Sequence, residues 1–241
     1  MPESDLLHRL VSLETDVLYQ DVAACEEAEF SYVSGQVPIL VSAPHAAVHT
    51  RLGELKPEEE YTAAFARLIA EITDAHVIYA QRKSLTDPNW YPDIPYKHLL
   101  QKMVETEEIR FILDIHGVSE RRKFGIALGT MRGKSCPQHR RAIIDQLKAH
   151  GFSQRSKDTL RRIDVDRLFS AVGQVGQETI TRFVREILDL PAAQFELHPS
   201  LRVVERRDDT TEPQPFYGEP ALIGAAVRAF VDVVQILIEP V

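Results

Sequence analysis

The chain has 241 residues, of which 44% are hydrophobic and 27% charged. That is the composition of a globular domain with a sizeable core, and it excludes a disordered, collagen-like or coiled-coil chain. The formal net charge is -8 and the charges are dispersed, so the basic footprint of a nucleic-acid binder is missing.

The two cysteines, Cys25 and Cys136, form no CxxC pair, and neither a zinc ribbon nor a disulfide framework is expected. The N-terminus carries acids where a signal peptide needs a basic region before an apolar run. No run of 18 apolar residues predicts a membrane span. The expectation is a cytoplasmic protein of one domain, with no Pro/Gly/Ser-rich linker dividing it.

In chain order, VPILVS at 37–42 reads as a buried strand that ends at Ala43-Pro44-His45. Tyr61, Ala64, Phe65, Leu68, Ile69 and Ile72 then form one apolar stripe, which predicts a helix over 57–73. Pro57 and the glutamates after it suit the start of that helix. A second strand is expected at 76–80, followed by a Pro- and Asp-rich loop, TDPNWYPDIP. A helix at 95–108 leads to a third strand at 109–115, which ends at His116-Gly117. Further strands are expected at 124–130, 193–197 and 201–204, and helices at 137–150, 175–190 and 219–237. Strands alternating with helices indicate an α/β fold with a mainly parallel sheet. Ligands of such sheets bind beyond the carboxyl ends of the strands.

Those ends are unusually polar. His45 follows the first strand; Arg82, Asp87 and Asn89 follow the second; Asp114 and His116 end the third; Glu196 interrupts the apolar AQFEL strand. Two histidines and a carboxylate with one open position is the usual catalytic zinc arrangement, although the same set also suits iron or manganese. Glu60, next to the start of the apolar stripe, is the candidate third donor, and Glu59 is its close competitor. Asp114 lies two residues before His116, so both share a strand face and Asp114 can brace the imidazole. Burying Glu196 needs a reason, and service as a general base would supply one. Each residue also has an ordinary reading taken singly: a structural histidine, a solvated helix start, or an ion pair of Glu196 with Arg202. GxSxG, GxGxxG and HExxH do not occur.

The order of PHA (44–46), RKSLTDPNW (82–90), LDIHG (113–117), LGT (128–130) and QFELHPSLR (194–202) resembles the N-formylglutamate amidohydrolase family and, more distantly, the zinc carboxypeptidases. The resemblance implies a three-layer carboxypeptidase-like α/β fold, a mixed, mainly parallel sheet with helices on both faces. It implies one Zn2+ per chain, held by His45, Glu60 and His116. It further implies Glu196 as the base, Arg82 polarising the carbonyl or holding a carboxylate, and Asn89, with Asp87, on the substrate. The activity implied is cleavage of an N-formyl or N-acyl amide bond in a small carboxylate-bearing amino-acid derivative. Two departures stand out. Val48 is found where carboxypeptidases place the acid, and Trp90 follows the DPN motif where the family usually continues with Arg. Without that arginine the bidentate carboxylate clamp is gone, and Arg82, Arg202 or Lys97 is a candidate substitute.

Overall fold

A computed structural model describes residues 2–24, 28–212 and 215–238. Its elements, in chain order, are α1 (Glu3–Glu14), β1 (Leu18–Val22), β2 (Phe30–Val33), β3 (Val37–Ala43), β4 (His49–Arg51), β5 (Glu54–Lys56), α2 (Thr62–Thr73), β6 (Ala75–Ala80), β7 (Arg82–Lys83), α3 (Pro95–Thr106), β8 (Phe111–Gly117), β9 (Ile126–Gly129), α4 (Arg140–Ala149), β10 (Ile163–Val165), α5 (Ile180–Glu186), β11 (Ala192–Leu197) and α6 (Pro220–Ile238).

Seven strands form one sheet in the order β10-β9-β11-β8-β3-β6-β2. All pairings are parallel except β11 with β9 and β2 with β6. The mixed, mainly parallel sheet expected from the sequence is therefore present.

Alternation along the central strands sorts the core onto two faces. Ile39, Val41 and Ala43 of β3 join Leu113 and Ile115 of β8 in a cluster that also holds α1, α2, α4 and α6. Leu40, Ile78 and Ile112 point the other way, into a cluster with α3 and α5. Helices thus cover both faces. Ser42 and Asp114 are register partners on the second face, so the polar ends of β3 and β8 emerge on the α3/α5 side.

Helix α6 is the one helix among the described residues that is long and apolar enough to cross a membrane, and 61% of its most apolar window is buried. Its Phe230 packs edge-on against Phe65 and Phe195 at 5.2 and 4.7 Å, which gives that apolarity a core role.

Several expectations are corrected. The helix predicted over 57–73 begins only at Thr62. The segment before it is pulled out of helical register because Glu59 N donates to the carbonyl of His45 at 2.8 Å. The helix expected at 175–190 shortens to Ile180–Glu186, its start fixed by the Thr179 hydroxyl accepting from Arg182 N. The strand expected at 201–204 is absent; Pro199–Leu201 forms a 3-10 turn instead. The helix α1, the outer strands and the β4–β5 hairpin were not foreseen. Cys136 is buried and free, and Cys25 lies outside the described residues.

Tyr61 precedes α2 with φ 61°, a left-handed conformation unusual for a bulky side chain. It has no capping oxygen of its own. The carboxylate of Glu14, fully buried at the end of α1, accepts from Tyr61 N at 2.6 Å and Ala64 N at 3.1 Å and does the capping. This fixes the turn from which Glu59 enters the site.

Candidate metal centre

His45 projects from the turn after β3, His116 from the end of β8, and Glu59 from the strained turn before α2. Their donor atoms converge. His45 Nδ1 lies 3.0 Å from Glu59 Oε1, His116 Nδ1 lies 3.2 Å from Glu59 Oε2, and the two Nδ1 atoms are 3.1 Å apart. Gly117 N donates to Glu59 Oε2 at 2.8 Å and holds the carboxylate in place.

The far sides of the imidazoles face carboxylates. His45 Nε2 is 2.8 Å from Asp87 Oδ1, and His116 Nε2 is 3.1 Å from Asp114 Oδ2. Each Nε2 therefore carries the proton and donates it to its carboxylate. That turns both Nδ1 atoms toward the Glu59 carboxylate, at a point that protons or a metal cation can occupy. The donor spacings match a zinc ion: bonds of about 2.0–2.1 Å in a tetrahedron put the ligands roughly 3.3 Å apart. The donor set, two imidazoles and a carboxylate, suits Zn2+ as well as other divalent ions.

The electrostatics agree. Burial opposes a charge on His45, but Glu59 and Asp87 overcome it and push its pKa up to about 9. Burial likewise opposes a charge on His116, and Asp114 and Glu59 outweigh it, raising its pKa well above the ordinary value. Glu59 is held well below the usual carboxylate range, its burial outweighed by the two imidazoles. A negative pocket that draws protons this strongly also draws a metal cation.

The supports are themselves anchored. Asp114 Oδ1 accepts from the Ser42 hydroxyl at 3.0 Å. Asp87 accepts from Asn89 N at 2.7 Å and from Arg51 Nε. His49 stacks on His45, with ring centroids 4.0 Å apart and planes 8° apart.

Glu196 stands beside the cluster. It is the register partner of His116 across the parallel β11–β8 pair, and Gln194 is the partner of Asp114. Gln194 Nε2 donates to Glu196 Oε1 at 2.7 Å. Burial pushes the Glu196 pKa up to about 7, against the nearby His116. Both residues line a cavity of about 540 Å³ together with His45, Glu59, His116 and Trp90.

The remaining expectations divide. Glu60 does not converge on the two histidines: its carboxylate turns to Arg206, with Nη2 at 2.9 Å and Nε at 3.1 Å. Its neighbour Glu59 converges on the histidines instead, because the left-handed Tyr61 turns the chain between them and the helix. Arg82 does not line the cavity; it sits on β7, paired with β1. Asp87 is fully buried and bonded to His45 and Arg51, so it braces the His45 imidazole. Asn89 lines the cavity, but its Oδ1 accepts from Ile180 N at 2.8 Å at the start of α5. Lys97 is buried under Glu178 and the Tyr91 carbonyl. Arg202 is buried against Gly117 at the edge of the cluster.

Sequence reasoning missed Arg51 and Gln194. Arg51 lines the cavity, with its guanidinium 5.3 Å from the Trp90 ring centroid. It arrives on the β4–β5 hairpin, which carries no motif. Gln194 had a signal: it lies two residues before Glu196 and so shares its strand face.

No family model and no curated protein matches the sequence. Solved structures do resemble the fold. N-formylglutamate amidohydrolase from Ralstonia eutropha is 12% identical with a TM-score of 0.58, over 88% of this chain and 97% of that one. A bacteriophage poly-γ-glutamate hydrolase is 10% identical with a TM-score of 0.51, over 90% and 92% of the two chains. A putative carboxypeptidase A from Shewanella denitrificans is 13% identical with a TM-score of 0.50, over 98% and 68%. The chain therefore has a carboxypeptidase-like α/β fold, the fold also found in N-formylglutamate amidohydrolase.

Proposed function

We propose that the protein is a zinc-dependent hydrolase of an amide bond in a small N-acylated, carboxylate-bearing amino-acid derivative. The observation that carries this reading is the convergence of His45 Nδ1, His116 Nδ1 and the Glu59 carboxylate beside the buried Glu196. The three similar solved structures are named as hydrolases of N-formylglutamate and poly-γ-glutamate and as a putative carboxypeptidase, which supports the same class.

His45, Glu59 and His116 would hold one zinc ion. When bound, it would polarise the substrate carbonyl and make water more acidic. Asp87 and Asp114 keep both imidazoles in the tautomer that offers Nδ1. Glu196 takes a proton from the attacking water and returns it to the leaving nitrogen as the C–O bond forms and the C–N bond breaks. Its pKa, pushed up to about 7 by burial, suits a group that must accept and then release a proton near neutral pH. Gln194 holds one Glu196 oxygen and so orients the other. Arg51, tethered to Asp87 through Nε and lying over Trp90, takes the carbonyl-polarising place expected of Arg82.

The test is metal content in protein purified without a histidine tag or chelator, together with a screen of N-acyl amino acids. About one zinc per wild-type chain, absent from His45→Ala, supports the reading. A wild type that takes up no zinc overturns it and leaves a binding protein that keeps the fold.

A further inference from the structure

β10 is the outermost strand of the sheet, with β9 on one side and no strand on the other. The Arg162 carbonyl and Asp166 N bond to β9, at 3.3 Å to Ile126 N and 2.8 Å to the Leu128 carbonyl. Backbone groups alternate along a strand, so those of Arg161, Ile163 and Val165 face outward. This outer side is only partly used. Ser153 N donates to the Arg161 carbonyl at 2.9 Å, and the Ser153 carbonyl accepts from Ile163 N at 3.1 Å. That makes one rung of a parallel ladder, after which the chain turns away, with Ser156 N donating back to the Ser153 carbonyl. The next rung, the Ile163 carbonyl and Val165 N, meets no partner among the described residues.

The open rung borders a groove of about 310 Å³ lined by Lys123, Phe124, Arg162, Val165, Arg167 and Leu168. Its charge opposes that of the whole chain, which is -8. Lys123, Arg162 and Arg167 form no ion pair among the described residues. The one acid in the lining, Asp164, already accepts from Leu168 N at 2.8 Å through Oδ2. Leu168 is 62% exposed and gives the groove an apolar rim.

We infer that this groove docks an extended acidic peptide segment of a partner protein, added as a strand to the free side of β10. One peptide residue donates its N–H to the Ile163 carbonyl and accepts from Val165 N, repeating one step along what Ser153 does. Backbone pairing of this kind supplies affinity, and the side chains select the sequence. Here the selecting groups are three cations without a carboxylate of their own, which favour Asp and Glu. Cations that only guard an edge would leave it unpaired, so guarding and docking predict opposite results. The inference goes beyond the metallohydrolase reading and uses none of its donor residues.

The test is fluorescence anisotropy of a labelled acetyl-Glu-Val-Glu-Val-Glu-amide peptide titrated with the full chain, with and without zinc. The acidic peptide should bind roughly tenfold or more tighter than its lysine analogue, equally in both metal states, and more weakly as NaCl rises from about 50 to about 300 mM. Methylating the peptide's backbone nitrogens should weaken it by roughly tenfold, which separates strand pairing from charge alone. Lys123→Gln/Arg167→Gln should weaken it by a similar factor at unchanged melting temperature. Lys102→Gln/Lys148→Gln, the same change of charge on α3 and α4, should not. Absence of binding, equal binding of the acidic and lysine peptides, indifference to N-methylation, or full affinity in Lys123→Gln/Arg167→Gln overturns the inference. So does self-association of the wild type, in sedimentation equilibrium, that Lys123→Gln/Arg167→Gln abolishes, because the edge then belongs to a second copy of the chain. A failure to take up zinc overturns only the metallohydrolase reading.

Discussion

His45 Nδ1 and His116 Nδ1 face each other at 3.1 Å, although 71 residues separate them in the chain. Both imidazoles have their other nitrogen on a carboxylate, Asp87 for one and Asp114 for the other. The two lone pairs are thereby aimed at one point, which Glu59 closes from a third side.

That geometry distinguishes two adjacent glutamates. Glu59→Gln should abolish stoichiometric zinc binding, because an amide is a far poorer zinc ligand than a carboxylate. Glu60→Gln should keep the metal and lose only its ion pair with Arg206. Zinc per chain, by atomic spectroscopy after gel filtration, separates them. Retention in Glu59→Gln with loss in Glu60→Gln would reverse the assignment.

The bracing carboxylates should matter nearly as much as the ligands. Asp114→Asn removes the acceptor that fixes the His116 tautomer, and zinc affinity should fall roughly tenfold to hundredfold. Competition with a chromophoric chelator measures it. An unchanged affinity would mean that His116 is oriented by its packing alone.

Much of this centre is legible in the sequence, and what is hidden has a common cause. The Asp114–His116 pair follows from the period of a strand, and His45 from the end of an apolar run. Glu196 stands out because a charge in AQFEL has no ordinary place. The choice of Glu59 over Glu60 is different. It depends on the left-handed Tyr61 and on Glu14, which lies 47 residues earlier and caps the turn from another helix. Periodicity cannot register such a contact. It instead favours continuing the helix back to Pro57, which is where the expectation fails. Arg82 fails likewise. Its motif position is right in order, but β7 pairs with β1 and carries it off the cavity, while Arg51 enters from the hairpin.

Glu14 makes stability depend on pH. Burial raises its pKa from 4.5 to about 7, against the hydrogen bonds from Tyr19, Tyr61 and Ala64. A raised folded-state pKa means that the folded form binds the proton more tightly than the unfolded one. The resulting stability is fully present below about pH 4.5 and is lost as pH rises through about 7. The loss is on the order of 3 kcal/mol. Urea unfolding at pH 5 and pH 8 should show it, and Glu14→Gln should flatten the dependence. An equal slope in both proteins would place its origin elsewhere.

The arginines supply the last prediction. Arg51 is bonded to Asp87 through Nε, stacks over Trp90 and borders the cavity, so its remaining donors can meet a developing negative charge on a substrate carbonyl. Removing one such donor costs roughly hundredfold or more in turnover. Arg51→Ala should therefore lower kcat on the best N-acyl amino acid by about that factor. Arg51→Lys should restore only part of it, because a lysine cannot hold Asp87 and reach the cavity at once. Arg82→Ala, away from the cavity, should leave kcat and KM near wild type. The zinc content of Arg51→Ala must be checked, since Asp87 also braces His45. A zinc-loaded Arg51→Ala protein with full activity would remove Arg51 from the mechanism. A collapse of kcat in Arg82→Ala, with zinc and fold intact, would return the role to the residue that the motif order first suggested.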